Sequence, residues 1–264
     1  MGVTLPDLPQ TEAAIIEMTN AFRREHKLAP VAVNAQLTTA ARAYARFLAS
    51  RDLFSHTADG RQPAARAAEA GYRYCEIAEN LALNQDSRGL ETRELATKAM
   101  SGWINSPGHR ANLESPGATE IGVAVARSGD AVPKYVSVQV FGRPRTLEIE
   151  FQVSNSSTSD VTYTFGGETH ELTPRLAITH QSCRGGTLVF TVGGGFFFSK
   201  ARTIGQYEAA DGQLYVVKTD ANDALKIEVR PREKPPAIDK SASSGGESAP
   251  PRARARAKAS ASKP

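Results

Sequence analysis

Two histidines, His56 and His109, lie far apart in the chain, with Glu79 and Asn80 between them. His56 sits in F-S-H-T-A-D-G-R at 54–61 and His109 in W-I-N-S-P-G-H-R-A-N-L at 103–113. Glu79-Asn80 falls in G-Y-R-Y-C-E-I-A-E-N-L-A at 71–82. Each histidine stands near a turn-forming Gly or Pro, where side chains can converge on a cleft. Two imidazoles and a carboxylate can hold a metal or form an acid/base pair; they can also be three polar residues on three loops. As metal ligands, His56, His109 and Glu79 supply three groups, and a catalytic zinc wants three plus water. Glu79 could instead orient one imidazole from behind. Ser106 precedes His109 by three residues and Ser55 adjoins His56, so a Ser–His–Glu arrangement can be drawn from either. Neither serine stands in a G-x-S-x-G elbow.

The elements that must position these groups are legible in part. Thr11 is the expected cap of a first helix, with Ile15, Met18 and Phe22 on one stripe to about Lys27 and Pro30 ending it. Asn34 caps a second helix, where Leu37, Ala40, Ala41, Tyr44, Ala45 and Leu48 repeat at helical spacing. His56 follows in a loop. A short helix over 62–70 should stop at Gly71. Residues 84–89 read as a polar loop. A further helix over 91–105 has Leu95, Ala99, Gly102 and Trp103 inward, and Ser106-Pro107-Gly108 ends it and presents His109. Residues 121–127 and 135–141 alternate as strands. Asn80, Arg110 and Asn112 are expected to fix the segments carrying Glu79 and His109 by side-chain bonds to backbone. Arg61 and Arg66 are expected to pair with nearby acids, and His26 to lie on the surface or cap the first helix.

These stretches, with N-A-F-R-R-E-H at 20–26, L-T-T-A-A-R-A-Y-A at 37–45 and V-Q-V-F-G at 138–142, resemble the CAP superfamily. That is the cysteine-rich secretory, antigen 5 and pathogenesis-related 1 group (the SCP domain), and the likeness is to its small bacterial members. It spans residues 11–143. It implies an α/β/α sandwich and a cleft lined by two histidines and two glutamates, which bind a divalent ion in some members. By motif, His56 and His109 take the histidine places and Glu79 that of the glutamate in G-E-N, whose glycine is Ala78 here. The second glutamate's position is Ser106, a departure that weakens a four-residue centre. Glu120 could approach the cleft from the following loop. The expected cofactor, if one is used, is a divalent ion such as Zn²⁺.

The texture changes at Arg143-Pro144-Arg145. Leu147, Ile149, Phe151 and Val153 alternate with polar residues, Val161, Tyr163 and Phe165 repeat the pattern, and Gly166-Gly167 offers a hairpin turn. Strand-like runs follow at 187–192, 196–198, 202–207, 213–218 and 224–229. Gly193-Gly194-Gly195 lacks the Lys-Ser/Thr of a phosphate loop and reads as a turn or strained strand. His170 and His180 have no partners at metal spacing. The fold class expected is α+β: a CAP-type sandwich over 11–143, a small all-β sandwich or open barrel over 145–232, and a disordered tail over 233–264.

That tail, rich in Pro, Ala, Ser, Lys and Arg, carries seven Lys/Arg and three Asp/Glu, the whole of the net +4. The rest of the chain is neutral, so a basic face for specific nucleic-acid binding is not expected. The R-A-R-A-R-A-K run at 252–258 could touch anionic surfaces. Cys75 and Cys183 are too few for a disulfide framework, and unpaired thiols are expected ahead of a bridge between the two halves. No apolar run is long enough to cross a bilayer. M-G-V-T-L-P-D-L-P shows neither a basic n-region nor an apolar h-region, while the family resemblance implies export. The functional expectation is a non-enzymatic binding protein whose cleft takes a small apolar molecule, a lipid, a glycan or a protein. The alternatives are a metal-dependent or Ser-type hydrolase in the same cleft, or an envelope adhesion protein acting through the β-rich half.

Overall fold

A computed structural model describes residues 5–193 and 201–233. Helix α1 (Leu8–Glu25) begins a turn before the expected cap: Asp7 accepts from the Gln10 amide, and Pro9 stands in the first turn. Thr11 is buried inside the helix and donates to the Asp7 carbonyl at 2.8 Å. His26 caps the other end, its Nδ1 2.8 Å from the Phe22 carbonyl. After the short strand β1 (Ala32–Val33), helix α2 (Ala35–Arg51) starts at Asn34, whose carboxamide oxygen accepts from the Gln36 and Leu37 amides. All six residues of its apolar stripe are buried. Helix α3 (Pro63–Glu69) is closed by Gly71 at φ 86°, a left-handed conformation that favours glycine.

Strand β2 (Tyr74–Gln85) is not expected from the sequence, nor are β1, the helix over Pro107–Leu113 and the later strand over Ala177–Ser182; the expected polar loop over 84–89 gives up its first two residues to β2. Alternation is hard to see because Glu79 and Asn80, adjacent and on opposite faces, are both polar and both buried. Helix α4 (Thr92–Ile104) opens with a reciprocal Glu91/Glu94 capping box. Leu95, Ala99 and Trp103 face inward as expected, but Gly102 is exposed. Ser106-Pro107-Gly108 does more than end that helix: Ser106 is the N-cap of a new one, α5 (Pro107–Leu113), which carries His109. Strands β3 (Glu120–Arg127) and β4 (Lys134–Pro144) complete a sheet in the order β1-β3-β4-β2. One face packs on α1, α4 and α5 around Ile15, Trp103 and Phe141. The other packs on α2 and α3 around Leu37, Tyr44 and Val138. This is the expected α/β/α sandwich, and β2 is its edge.

The following strands are β5 (Ile149–Asn155), β6 (Val161–Phe165), β7 (Glu168–Leu172), β8 (Ala177–Ser182) and β9 (Thr187–Val192). Then come β10 (Arg202–Glu208), β11 (Gln213–Thr219) and β12 (Leu225–Pro231). They form two four-stranded sheets, β10-β9-β6-β7 and β12-β11-β5-β8, which share one core of Phe151, Tyr163, Phe190 and Tyr215. Of the two expected forms, this is the sandwich. Gly166 and Gly167 make the β6–β7 turn at φ 60° and 85°, the sign a tight hairpin requires. Leu147 is not on the first strand but exposed in a 3-10 turn, Arg145–Leu147. The run at 196–198, Gly194-Gly195 and the tail from residue 234 lie outside the described residues.

Cys75 and Cys183 are not unpaired thiols. They form a disulfide with Cα atoms 5.5 Å apart, joining the start of β2 to the loop after β8. Arg184 grips the Glu76 carboxylate with two donors beside it, and the Arg143 guanidinium donates to the Cys183 carbonyl at 2.5 Å. A separation of 108 residues hides such a pairing from any spacing rule.

Helix α2 lies so close to β3 that Gly122 has no room for a side chain: a Cβ there would overlap the Leu37 carbonyl carbon and the Thr38 amide nitrogen. Backbone cannot swing aside. Gly122→Ala should therefore destabilise by about 3 kcal/mol, the upper range for overpacking. That corresponds to a fall in Tm of about 6–12 °C for a chain of this size, measurable by thermal unfolding against wild type.

Candidate functional site

The structure brings His56, Glu79 and His109 together at the sheet edge. On β2, Glu79 faces the α2/α3 layer and Asn80 the α1/α4/α5 layer. His56 reaches the edge from one side and His109 from the other, with ring centroids 6.4 Å apart.

Arg66 of α3 organises the His56 side. Its guanidinium is 5% exposed and lies 3.4 Å above the Tyr44 ring. It donates to Glu79 Oε2 at 2.8 Å, Asp59 Oδ1 at 3.0 Å, the Arg61 carbonyl at 2.9 Å and the His56 carbonyl at 3.1 Å. Tyr44 donates to the Ser55 carbonyl and accepts from the Ala58 amide, so the loop is pinned at several points. Burial alone would raise the Asp59 pKa, but bonds from Arg61 and the charge of Arg66 outweigh it and hold the carboxyl below its ordinary value. Glu79 is 2% exposed, and its second oxygen, Oε1, accepts from His56 Nδ1 at 2.9 Å. A carboxylate only accepts, so Nδ1 carries a proton, and the tautomer this selects has its lone pair on Nε2. The imidazole is 48% exposed, a half-open ring on a fully buried support.

The His109 side hangs on a chain of amides. Asn80 donates to the His109 carbonyl at 3.1 Å and to Gln139 Oε1 at 3.0 Å; Gln139 in turn donates to Thr19 Oγ1 at 2.8 Å. Asn112 donates to Asn80 Oδ1 at 2.8 Å and to the Glu79 carbonyl at 3.2 Å. The expectation for Asn80 and Asn112 holds. Arg110 instead bonds Glu114 and His26. Arg23, which sequence reading did not single out, is fully buried and ties down the segment after α5 through the Leu113, Ser115 and Ala118 carbonyls. Burial lowers the pKa of that guanidinium. Burial also lowers the pKa of His109, and the neighbouring His56 adds to the effect.

Other candidates fall away. Ser106 serves as the α5 N-cap residue, and among the described residues its hydroxyl bonds neither imidazole. The Ser55 hydroxyl accepts from the Thr57 amide. Glu120 does not approach the cleft: it accepts from the Tyr72 hydroxyl at 2.5 Å and from the Asn34 carboxamide at 3.2 Å, beside the cap of α2. His170 and His180, without partners at metal spacing in the sequence, lie with ring centroids 4.9 Å apart across the two sheets, and Tyr163 bonds His180 Nε2 at 2.6 Å.

A tightly held metal does not fit the cleft. Both oxygens of Glu79 are engaged, and no group of three His, Cys, Asp or Glu among the described residues is arranged to hold an ion. Tetrahedral zinc with Zn–N of about 2.1 Å would bring two imidazole centroids to about 5.2 Å. The rings stand at 6.4 Å, roughly the span of a linear arrangement. Two imidazoles are what the cleft offers.

Residues 16–141 match the model of the cysteine-rich secretory protein family, CAP. They are a CAP domain. The uncharacterised protein YkwD of Bacillus subtilis is 33% identical over 119 residues, 45% of this chain and 43% of that protein. The match thus spans less than half of that relative's length. An extracellular SCP-domain protein of Bacillus anthracis is 23% identical over 52% of this chain and 41% of its own, at a TM-score of 0.42. An outer surface protein of Borrelia burgdorferi is 20% identical over 51% and 93%, at 0.44. NaASP2, solved with Zn²⁺, is 16% identical over 51% and 84%, at 0.38.

Two predictions follow from the geometry of the CAP domain and its sandwich. Arg66→Met should leave Glu79 buried with its main partner gone, at a cost of about 3–5 kcal/mol. Thermal unfolding should show a loss of roughly 6–20 °C; a loss under 2 °C would mean that water replaces the guanidinium. Second, His109 and His180 both have lowered pKa values, so the folded state prefers them neutral. The unfolded chain takes up the proton first, near pH 6.5. This stability is complete above that pH and is lost as pH falls through the folded values. Tm should drop between pH 7 and 5, and less so in His180→Gln.

Proposed function

We propose that the CAP domain is a non-enzymatic binding module whose recognition surface is the β2 edge bearing His56 and His109. The observation that carries this reading is the division of Glu79 between Arg66 and His56. A carboxylate held by a buried guanidinium on one oxygen and by an imidazole on the other is placed to act as a support. It fixes the tautomer and angle of a half-exposed imidazole, which then presents a hydrogen-bond acceptor beside His109. Fixed polar groups of this kind set ligand orientation and specificity. The hydrolase alternative is disfavoured because the Ser55 hydroxyl is engaged by the Thr57 amide and Ser106 stands at a helix cap.

We further infer that the two halves, each with its own core, are separate domains clasped by the disulfide and the Arg184–Glu76 pair. A bridge of this kind persists in an oxidising compartment, which supports an extracytoplasmic location. The ligand class is a glycan, lipid or protein with hydroxyl or amide groups to meet the imidazoles.

Screening the full chain on glycan, lipid and protein arrays beside His56→Ala/His109→Ala tests the reading. Signals lost in the double variant, with Tm unchanged, support it; signals that ignore the substitutions refute it. Zinc calorimetry discriminates further. Two imidazoles should bind Zn²⁺ only weakly, since a catalytic site takes three protein ligands. Tight stoichiometric binding, lost in the variant, would show Glu79 leaving Arg66 and would favour a metal site.

A further inference from the structure

A cavity of about 440 Å³ opens where the start of β2, the end of β4 and the segment after α5 meet the loop after β8. It shares β2 and α5 with the histidine cleft but none of the histidines. Its inner wall is apolar: Phe141 and Ala118 are buried, and Ala78 is half-buried. Its rim is charged, with Glu76, Arg143 and Arg184.

The charges do not cancel. Glu76, the one carboxylate in the lining, is gripped by Arg184 through two donors. Arg143 has no carboxylate partner among the described residues; its bonds go to backbone carbonyls. The bond to Cys183 is short, but those to Gly117 and Leu147 stretch to 3.5 and 3.4 Å. Two of its nitrogens are therefore loosely held and can turn to a better acceptor. A guanidinium with spare planar donors, beside an apolar wall, selects a carboxylate joined to an apolar body. Size sets the rest: at about 30 Å³ for each heavy atom the space takes up to about fifteen. The cavity's volume lies within the usual range for small-molecule sites.

We propose that this junction cavity binds a small monocarboxylate with a short alkyl or aryl body, its carboxylate on Arg143 and its body against Phe141. The site exists only because the β-sandwich is clasped to the CAP domain, since Arg184 comes from one half and the apolar wall from the other. It is independent of the histidine cleft and would stand if that reading failed.

The test is calorimetry on the full, disulfide-bonded chain with 4-phenylbutyrate, using 4-phenylbutanol as the uncharged control. The acid should bind saturably at one site, at least tenfold tighter than the alcohol. Arg143→Gln should abolish that preference. Because Arg143 also bonds the junction backbone, Ala111→Trp, on the exposed side of α5 lining the cavity, provides a second variant. It should block both ligands while leaving Tm unchanged, and His56→Ala should alter neither. Equal affinity for acid and alcohol, acid binding unmoved by Ala111→Trp, or no saturable acid binding up to about 10 mM (about 2.7 kcal/mol of binding free energy) would each overturn the proposal.

Discussion

A buried guanidinium governs the cleft. Taking the charge of Arg66 out of water costs several kcal/mol, and the fold offsets this with two carboxylates, two carbonyls and the face of Tyr44. Each of those partners is thereby fixed. Asp59 holds the turn after His56, the His56 carbonyl is tied down, and Glu79 is held where it can bond the imidazole. The position of His56 is a by-product of satisfying one arginine. The same commitment gives each Glu79 oxygen an N–H partner, Arg66 on one and His56 on the other.

His109 is placed by different means. There the work is done by neutral amides running from Thr19 through Gln139 and Asn80 to the α5 backbone. Such a network is satisfied at every member, which is the condition for polar groups in a core to rigidify it. A charged cluster on one face of β2 and a neutral one on the other hold two imidazoles across the sheet edge. Trp103 belongs with the neutral set, since its indole N–H donates to the Leu81 carbonyl at 2.9 Å.

The junction between the halves is tied by covalent and ionic links. The three core clusters have no members in common, and contact runs through the disulfide, the Arg184–Glu76 pair and Arg143. Gly117 permits the clasp: a Cβ at that position would overlap Glu76 and Arg184.

By itself the sequence determined whatever is local. The α2 stripe, the Asn34 cap, Gly71, the Gly166-Gly167 turn and most of the later strands follow from period and turn chemistry within a few residues. The motifs around His56, Glu79 and His109 also marked the CAP domain and the residues that meet. Only tertiary structure decided what those residues do. Strand β2 was hidden because its buried Glu79 and Asn80 look like surface until their partners arrive from other elements. Glu120 was drawn away by Tyr72 and Asn34, and Cys75 found Cys183 across 108 residues. Hydrogen-bond satisfaction is a property of the assembled interior. No local rule pairs Arg66 on α3 with Glu79 on β2, or brings in the later half that makes a cavity of the first half's edge.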